Sequence, residues 1–250
     1  MPRLNHSAGE PRDTVTSGRT VIYRHTLATR LLHWVNVLCL AVLITSGLQI
    51  FNAHPHLYWG QAGADTDPAW LSIGPFPRWL TLPGWQDLAA GRRWHFFFAW
   101  LLLFNSLTYL LVSLLNGHIR RDLLPTRAEL TPAHLGSSLR EHALLRFPTG
   151  AAARHYNVLQ KLAYVAVIFG LAPLMLITGL SLSPGIDSAA PWLPELLGGR
   201  QSARSLHFLT GSAIVLFIAV HLVMVVLAGT WNELRSMVTG RFELPPARPR

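Results

Sequence analysis

The sequence has little charge and almost no cysteine. Only 13% of the 250 residues are charged and 50% are apolar, whereas roughly a quarter of an average soluble domain is charged. This deficit indicates a membrane protein. The single cysteine, Cys39, lies in an apolar stretch, which excludes a disulfide framework, a Cys-x-x-Cys metal site and the Cys-x-x-Cys-His motif of covalent cofactor attachment.

Signals of nucleic-acid binding and of a soluble catalytic domain are also missing. The formal net charge is +9, yet no basic run is interleaved with aromatic residues, and the arginines instead flank apolar blocks. The longest connection on the predicted cytoplasmic side, residues 116–161, has no nucleotide-binding or glycine-rich phosphate motif. The charge is therefore explained better by membrane topology.

Four uncharged apolar blocks are long enough to cross about 30 Å of hydrocarbon as helices. They cover residues 31–51, 94–115, 162–182 and 206–227. Backbone polar groups in lipid must be paired within the segment, and barrel strands would alternate and be half this length. The sequence therefore predicts an all-α integral membrane protein, a bundle of four transmembrane helices, with a kink at Pro173.

The distribution of positive charge predicts the orientation. Most of the 21 Lys and Arg lie in the N-terminal segment, between the second and third blocks and at the C-terminus. The positive-inside rule then places both termini in the cytoplasm. We divide the chain into a disordered cytoplasmic tail (1–20), a transmembrane domain (21–235) and a second cytoplasmic tail (236–250). The predicted outer connection 52–93 is rich in tryptophan, which fits either a folded cap or docking surface, or simple anchoring at the membrane interface.

Four histidines lie within or at the edges of the blocks. They are His33, His95, His207 and His221. Ionisable residues inside a membrane are costly and are therefore functional candidates. His207 and His221 are fourteen residues apart in one block, so they share a helix face at depths about 21 Å apart. The alternating direction of the helices puts His33 level with His221 near the inner boundary and His95 level with His207 near the outer one.

Two level-matched histidine pairs are typical of ligation of haem iron from both sides. Such ligation leaves no open iron position and suits electron transfer. Gly47, fourteen residues after His33, and Gly211, one turn after His207, fit the close approach of a planar macrocycle, although for either glycine alone the packing of small residues between helices is the favoured explanation. Arg30, Arg92, Arg93 and Arg204 flank the histidines and are candidates for haem propionates or for topological anchors.

Several motifs together resemble one known family. They are Arg30-Leu-Leu-His33-Trp34, Arg93-Trp94-His95 and the spacing of His207 and His221. Over about residues 20–235 the chain resembles the bacterial di-haem cytochrome b subunits of hydrogenases, formate dehydrogenases and thiosulfate reductases. The resemblance implies two haem b groups, with His95 and His207 on the outer haem and His33 and His221 on the inner one. The segments 52–60 and 156–161 look more like the branch that often accompanies a periplasmic molybdopterin oxidoreductase.

The resemblance also implies partners and a location. Family members exchange electrons with quinone near the inner haem, where His155, Asn157 and Lys161 are candidates for hydrogen bonds to a quinone or, alternatively, for capping the third helix. The expected protein is a multi-pass electron-transfer subunit in the bacterial inner membrane, linking the quinone pool to a periplasmic oxidoreductase subunit.

Two other functions remain open from the residues alone. One is a stand-alone haem-dependent oxidoreductase that acts on superoxide or ferric iron at the outer haem. The other is a non-haem transporter or assembly factor, against which the absence of charge within the four blocks argues.

Overall fold

Four long apolar helices dominate the structure, a computed structural model that describes residues 14–16, 19–64, 66–144 and 156–245. The helices that are long and apolar enough to cross a membrane are Leu27–Phe51, Leu88–Leu115, Val158–Leu182 and Arg200–Thr239. The predicted all-α membrane class is thereby confirmed. The even number of crossings puts both ends of the domain on one side, here called the terminal end, and the side opposite is called the loop end.

Short elements connect the membrane-length helices. In chain order the elements are β1 (Thr14–Thr16), β2 (Arg19–Tyr23), α1 (Leu27–Phe51), β3 (His56–Leu57), β4 (Leu71–Ser72), α2 (Leu88–Leu115), α3 (Pro132–Ala143), α4 (Val158–Ala166), α5 (Ala172–Leu182), α6 (Pro184–Ala189), α7 (Trp192–Leu196), α8 (Arg200–Thr239) and β5 (Arg241–Glu243). A π-helical turn, Val167–Leu171, joins α4 to α5 within the third span. It directly precedes Pro173, whose missing N–H interrupts the regular helix ladder at the predicted kink.

The membrane helices begin earlier than the apolar blocks because polar residues cap them. The Thr26 hydroxyl accepts a hydrogen bond from Thr29 N–H at 3.3 Å, and the Asp87 carboxylate accepts from Ala90 N–H at 2.9 Å. Asn157 forms a full capping box with Gln160. Each cap satisfies N–H groups that the first turn leaves without helical partners.

The helices pack mainly as two pairs, α1 along α2 and α5 along α8, with few contacts between the pairs. A polar clamp holds the first pair together inside the membrane. The amide of Asn105 on α2 donates to the carbonyl of Leu32 at 2.9 Å and to the side chain of Asn36 at 2.7 Å, both on α1. Such bonds between helices are favourable in lipid because the alternative is an unsatisfied polar group.

A small sheet closes the terminal end. Strand β2 pairs antiparallel with both β1 and β5. Residues 14–16 and 19–20, expected within a disordered tail, are therefore in strands, because β5 after α8 offers β2 an edge on which to pair. Residues 1–13 of that predicted tail lie outside the described residues. The fourth helix also extends beyond residue 227 to Thr239, with a break at Gly229, whose φ of 114° suits glycine.

The connection between α1 and α2 is folded against the start of α8. The Arg204 guanidinium donates to the carbonyls of His54 and, at 2.9 Å, His56. The Ser205 hydroxyl donates to the Tyr58 carbonyl at 2.6 Å and accepts from the Trp70 indole at 3.0 Å. This connection therefore covers the turn of α8 that precedes His207.

A buried ion pair fastens the connection between α2 and α4 to the third span. Lys161, which is only 8% exposed, donates to both carboxylate oxygens of Glu129 at 2.8 and 3.1 Å. The Thr126 N–H also donates to Glu129, at 2.7 Å. Burial acts to raise the pKa of Glu129, but these bonds and the charge of Lys161 outweigh it and hold that pKa at about 2.

Replacing Glu129 tests this ion pair. Glu129→Gln leaves the buried ammonium of Lys161 without its counter-charge, so we expect a loss of stability of about 3 kcal/mol at pH 7, read as a lower thermal denaturation midpoint in detergent. A depressed carboxylate pKa contributes stability above the ordinary value of 4.5 and loses it as the pH falls towards about 2. The difference between wild type and variant should therefore persist from pH 7 to 5 and shrink below. The exposed Glu141→Gln is the matched control, and an equal effect of both would contradict the assignment.

Candidate functional site

The four membrane histidines form two pairs at different depths between the helix pairs. At the loop end the rings of His95 on α2 and His207 on α8 have centroids 6.3 Å apart, with an angle of 69° between their planes. At the terminal end the rings of His33 on α1 and His221 on α8 are 6.5 Å apart, at 64°. Each pair thus joins the α1/α2 side of the bundle to the α5/α8 side.

The spacing of the rings fits a metal between them. Bonds from a first-row metal to imidazole nitrogen are about 2 Å long, so two imidazoles on opposite sides of one ion have centroids about 6 Å apart. Within the described residues, no direct hydrogen bond joins the two rings of a pair. The geometry of both pairs is therefore compatible with ligation of iron from two sides.

Hydroxyl groups hold the two rings at the loop end. The Nδ1 atom of His95 lies 3.1 Å from the Ser46 hydroxyl on α1. The Nδ1 atom of His207 lies 2.9 Å from the Thr178 hydroxyl on α5. Both hydroxyl residues are fully buried. Each histidine is thus oriented by the other helix of its own pair, and its Nε2 atom is left for a ligand.

Glycines lie against the same two rings. A Cβ atom added to Gly47 would lie 3.4 Å from Cε1 of His95, and one added to Gly179 would lie 3.2 Å from Cε1 of His207. Gly211, the other predicted glycine, instead faces the methyl group of Met175 on α5. The structure therefore brings Gly47 to the predicted site, adds Gly179, and assigns Gly211 to helix packing.

An aromatic series leads away from the terminal-end pair. Phe217 stacks on His221 with centroids 6.1 Å apart, Tyr164 lies 6.5 Å from Phe217, and Tyr156 lies 5.6 Å from Tyr164. Burial raises the pKa of Tyr156, so its phenol keeps its proton at neutral pH. The series connects the histidine pair to the start of the third span.

Among the arginines predicted to bind haem propionates, Arg30 has a side-chain nitrogen that makes no hydrogen bond to the described residues and is close in sequence to His33. Arg30 lies one turn before His33 and donates to the Val238 carbonyl through one terminal nitrogen, while its Nε is buried without a hydrogen-bond partner among the described residues. Arg93 is exposed at the loop end of α2. Arg204 is committed to the carbonyls of His54 and His56, so its position is explained by the folded connection.

The predicted quinone residues are engaged in local structure. The Asn157 side chain accepts from Leu159 N–H at 2.9 Å and caps α4, and Lys161 pairs with Glu129. His155 lies outside the described residues. Asn157 thus has the alternative role, that of a helix cap. Tyr156 and Tyr164, which no sequence motif indicated as quinone residues, are the polar residues in the series of ring contacts that begins at His221.

The class defined by this geometry is a membrane helix bundle that carries paired histidines between its helices. Comparison with known proteins gives the family. Residues 24–240 match the model of the prokaryotic cytochrome b561 family. The chain belongs to this family, and the predicted resemblance to membrane cytochromes b is thereby confirmed.

Three relatives illustrate the family. The chain is 33% identical to the proposed protein-methionine-sulfoxide reductase subunit YedZ1 of Azospira oryzae, over 84% of this chain and 93% of the relative. It is 30% identical to the proposed cytochrome YdhU of Escherichia coli, over 88% and 74% of the two chains. It is 25% identical to the proposed Ni/Fe-hydrogenase B-type cytochrome subunit of Cupriavidus necator, over 95% and 94%. No solved structure matches the chain.

Family membership settles the coarse function. The chain is a cytochrome b561-type electron-transfer subunit, integral to the membrane with several crossings, and the family implies haem b. The residues of the structure fit such a group, because two imidazole pairs have the required spacing and the loop-end rings have free Nε2 atoms.

The glycine contacts predict a graded effect of added methyl groups. Gly179→Ala should displace the His207 ring because its Cβ would be 3.2 Å away, whereas Gly47→Ala makes an ordinary contact of 3.4 Å with His95. We expect Gly179→Ala to lower the haem content per chain clearly and Gly47→Ala to lower it less, as measured by pyridine haemochrome absorbance. Gly170→Ala, on the same span with nothing within 4 Å, is the control. An effect of the control equal to that of Gly179→Ala would contradict this account.

Proposed function

We propose that the chain carries electrons across the membrane through two b haems, each ligated by one histidine pair, between the quinone pool and an oxidoreductase partner. The observation that supports this most is the pairing of His95 with His207 and of His33 with His221 at ring separations of 6.3 and 6.5 Å. Ligation on both faces leaves no position for substrate at the iron, which favours electron transfer over bond chemistry at the haem.

The protein residues hold and tune the groups. A b haem supplies an iron that alternates between the ferric and ferrous states. The imidazoles of α2 and α8 would hold one group near the loop end, and those of α1 and α8 would hold the other near the terminal end. Apolar side chains of the spans exclude water from both, and the unpartnered Nε of Arg30 is available to the propionates of the terminal-end haem.

Quinone exchange is assigned to the terminal end. The aromatic series from His221 through Phe217 and Tyr164 to Tyr156 provides an apolar path with phenol groups. A protonated phenol donates a hydrogen bond to a carbonyl oxygen, as quinone binding requires. Tyr156 and Tyr164 replace Asn157 and Lys161 as the candidates for this contact, because the latter two are committed to the helix cap and the ion pair.

The loop end is assigned to the redox partner. The positive-inside rule places the terminal end in the cytoplasm and the loop end outside the bacterial inner membrane. There the folded connection presents exposed tryptophans, Trp79 at 83% and Trp85 at 72% exposure, and two of the relatives are named as oxidoreductase subunits. A periplasmic partner, such as a molybdopterin oxidoreductase, fits this surface. Because the connection covers the turn of α8 before His207, it favours a docked partner over the stand-alone reduction of superoxide or ferric iron.

Removing the histidines one at a time tests the ligation. We expect the purified wild type to contain two low-spin b haems per chain. His95→Ala and His207→Ala should lose the same haem, and His33→Ala and His221→Ala the other, as read from reduced-minus-oxidised visible spectra with haem quantified per chain. His134→Ala, an exposed histidine on α3, should keep both. Colourless wild-type protein, or loss of the same haem in all four variants, would rule out the proposal.

A tyrosine variant tests the quinone end separately. Tyr164→Phe removes one phenol and keeps the ring that contacts Phe217, so the spectra after chemical reduction should be unchanged. Reduction by a short-chain quinol should slow by about tenfold, as expected when a hydrogen bond worth roughly 1.4 kcal/mol is lost. Tyr23→Phe, a half-exposed tyrosine of β2 at the same end, is the matched control. Unchanged quinol kinetics in Tyr164→Phe would remove this residue from the site.

A further inference from the structure

A short pattern occurs on two different helices of the bundle. Residues 44–48 of α1 are Ile-Thr-Ser-Gly-Leu, and residues 177–180 of α5 are Ile-Thr-Gly-Leu. In both, a hydroxyl residue directly precedes a glycine: Ser46 before Gly47, and Thr178 before Gly179. Helix α1 packs against α2, which carries His95, and α5 packs against α8, which carries His207. The pattern therefore occurs once on each side of the bundle.

The pattern positions a histidine ring in the same way on both sides. The hydroxyl lies within hydrogen-bond distance of Nδ1, and the glycine next to it leaves room for the ring edge at Cε1. Each imidazole is thus held by two adjacent residues of the neighbouring helix.

The bonding of the hydroxyls determines which ring nitrogen carries the proton. The Ser46 hydroxyl donates its only proton to the Val42 carbonyl at 2.6 Å, and that of Thr178 donates to the Leu174 carbonyl at 2.8 Å. Each oxygen can then only accept from the imidazole, so Nδ1 is the protonated atom and Nε2 is the bare one. This tautomer is the one that binds a metal through Nε2.

The terminal-end pair is held differently. In the described ranges no hydrogen bond reaches the ring of His33 or His221. Their rings instead contact Trp34, with centroids 5.6 Å apart, and Phe217. The two histidine pairs therefore differ in the acceptors offered to Nδ1.

We propose that Ser46 and Thr178 are positioning residues that fix the tautomer of His95 and His207 and lower the reduction potential of the loop-end haem relative to the terminal-end haem. An acceptor at Nδ1–H makes the imidazole a stronger electron donor, which stabilises ferric iron. Only the electron moves in this one-electron couple, and the Nδ1 proton stays on the ring. The arrangement favours residence of an electron on the terminal-end haem.

Isosteric removal of the hydroxyl tests the proposal by potentiometry. Thr178→Val keeps the shape of the side chain and removes the acceptor, so the midpoint potential of the loop-end haem should rise and that of the other should not move. We expect a two- to tenfold change in the reduction equilibrium, about 18 to 59 mV for one electron. Ser46→Ala should shift the same haem in the same direction, and the double variant should shift it further.

Two controls separate the hydroxyl bond from a general disturbance. Thr178→Ser restores the hydroxyl and should return the potential to the wild-type value. Thr210→Val removes another buried hydroxyl, which bonds only the Leu206 carbonyl at 2.7 Å, and should change neither haem. Equal shifts of both haems, no shift in Thr178→Val and Ser46→Ala, or a Thr178→Ser variant that behaves like Thr178→Val would overturn the proposal. If Thr178→Val loses the loop-end haem while Thr178→Ser keeps it, the hydroxyl is needed to hold the ring. The shift in midpoint potential is then measured in Ser46→Ala.

This inference rests on the proposed ligation of two haems, and the same samples distinguish the two failures. Wild-type protein without two haems contradicts the proposed function. If the protein contains two haems but their potentials do not change in the Ser46 and Thr178 variants, only the proposed role of these hydroxyls is contradicted.

Discussion

The structure depends on the need to give every polar group within an apolar bilayer a partner. A histidine ring between membrane helices has two nitrogens to satisfy, and both histidine pairs lie where the two pairs of helices face each other. At the loop end one nitrogen of each ring is bonded to a hydroxyl of the neighbouring helix, so only the other remains for a ligand. In the proposed ligation, iron between two imidazoles would satisfy that nitrogen and would also join the two halves of the bundle.

The two ends of the bundle differ in structure. At the loop end the connection between α1 and α2 is bonded to Arg204 and Ser205 and covers the approach to His207. At the terminal end His221 is followed by an aromatic series that ends at Tyr156, near the expected membrane surface. These features support the proposal that another protein docks at the loop end and that a small lipid-soluble molecule binds at the terminal end. The two histidine pairs lie between these ends at different depths, and the two rings of each pair lie close together.

Hydropathy and helical periodicity predict the four spans and the depth of each histidine, because both depend only on segment length and residue spacing. The starts of the spans are predicted four to six residues late, since the apolar blocks begin only after Arg30 and Arg93, whereas the helices begin at the caps Thr26 and Asp87. Ser46 and Thr178 are missed because a hydroxyl in an apolar helix ordinarily bonds its own backbone, and only the packing of the helices brings it to a ring. The sequence signal for Ser46 and Thr178 is the Ile-Thr pattern that precedes both Gly47 and Gly179. The roles of the histidines as ligands stay predictions.

Low-temperature electron paramagnetic resonance of the oxidised, purified protein, with the spin count referred to the amount of polypeptide, tests the assignment of two haems. We expect two low-spin ferric signals of the bis-imidazole type, each close to one spin per chain, and no high-spin ferric signal. A single low-spin species, or a high-spin signal that marks an open iron position, would contradict the assignment of the two histidine pairs to two haems.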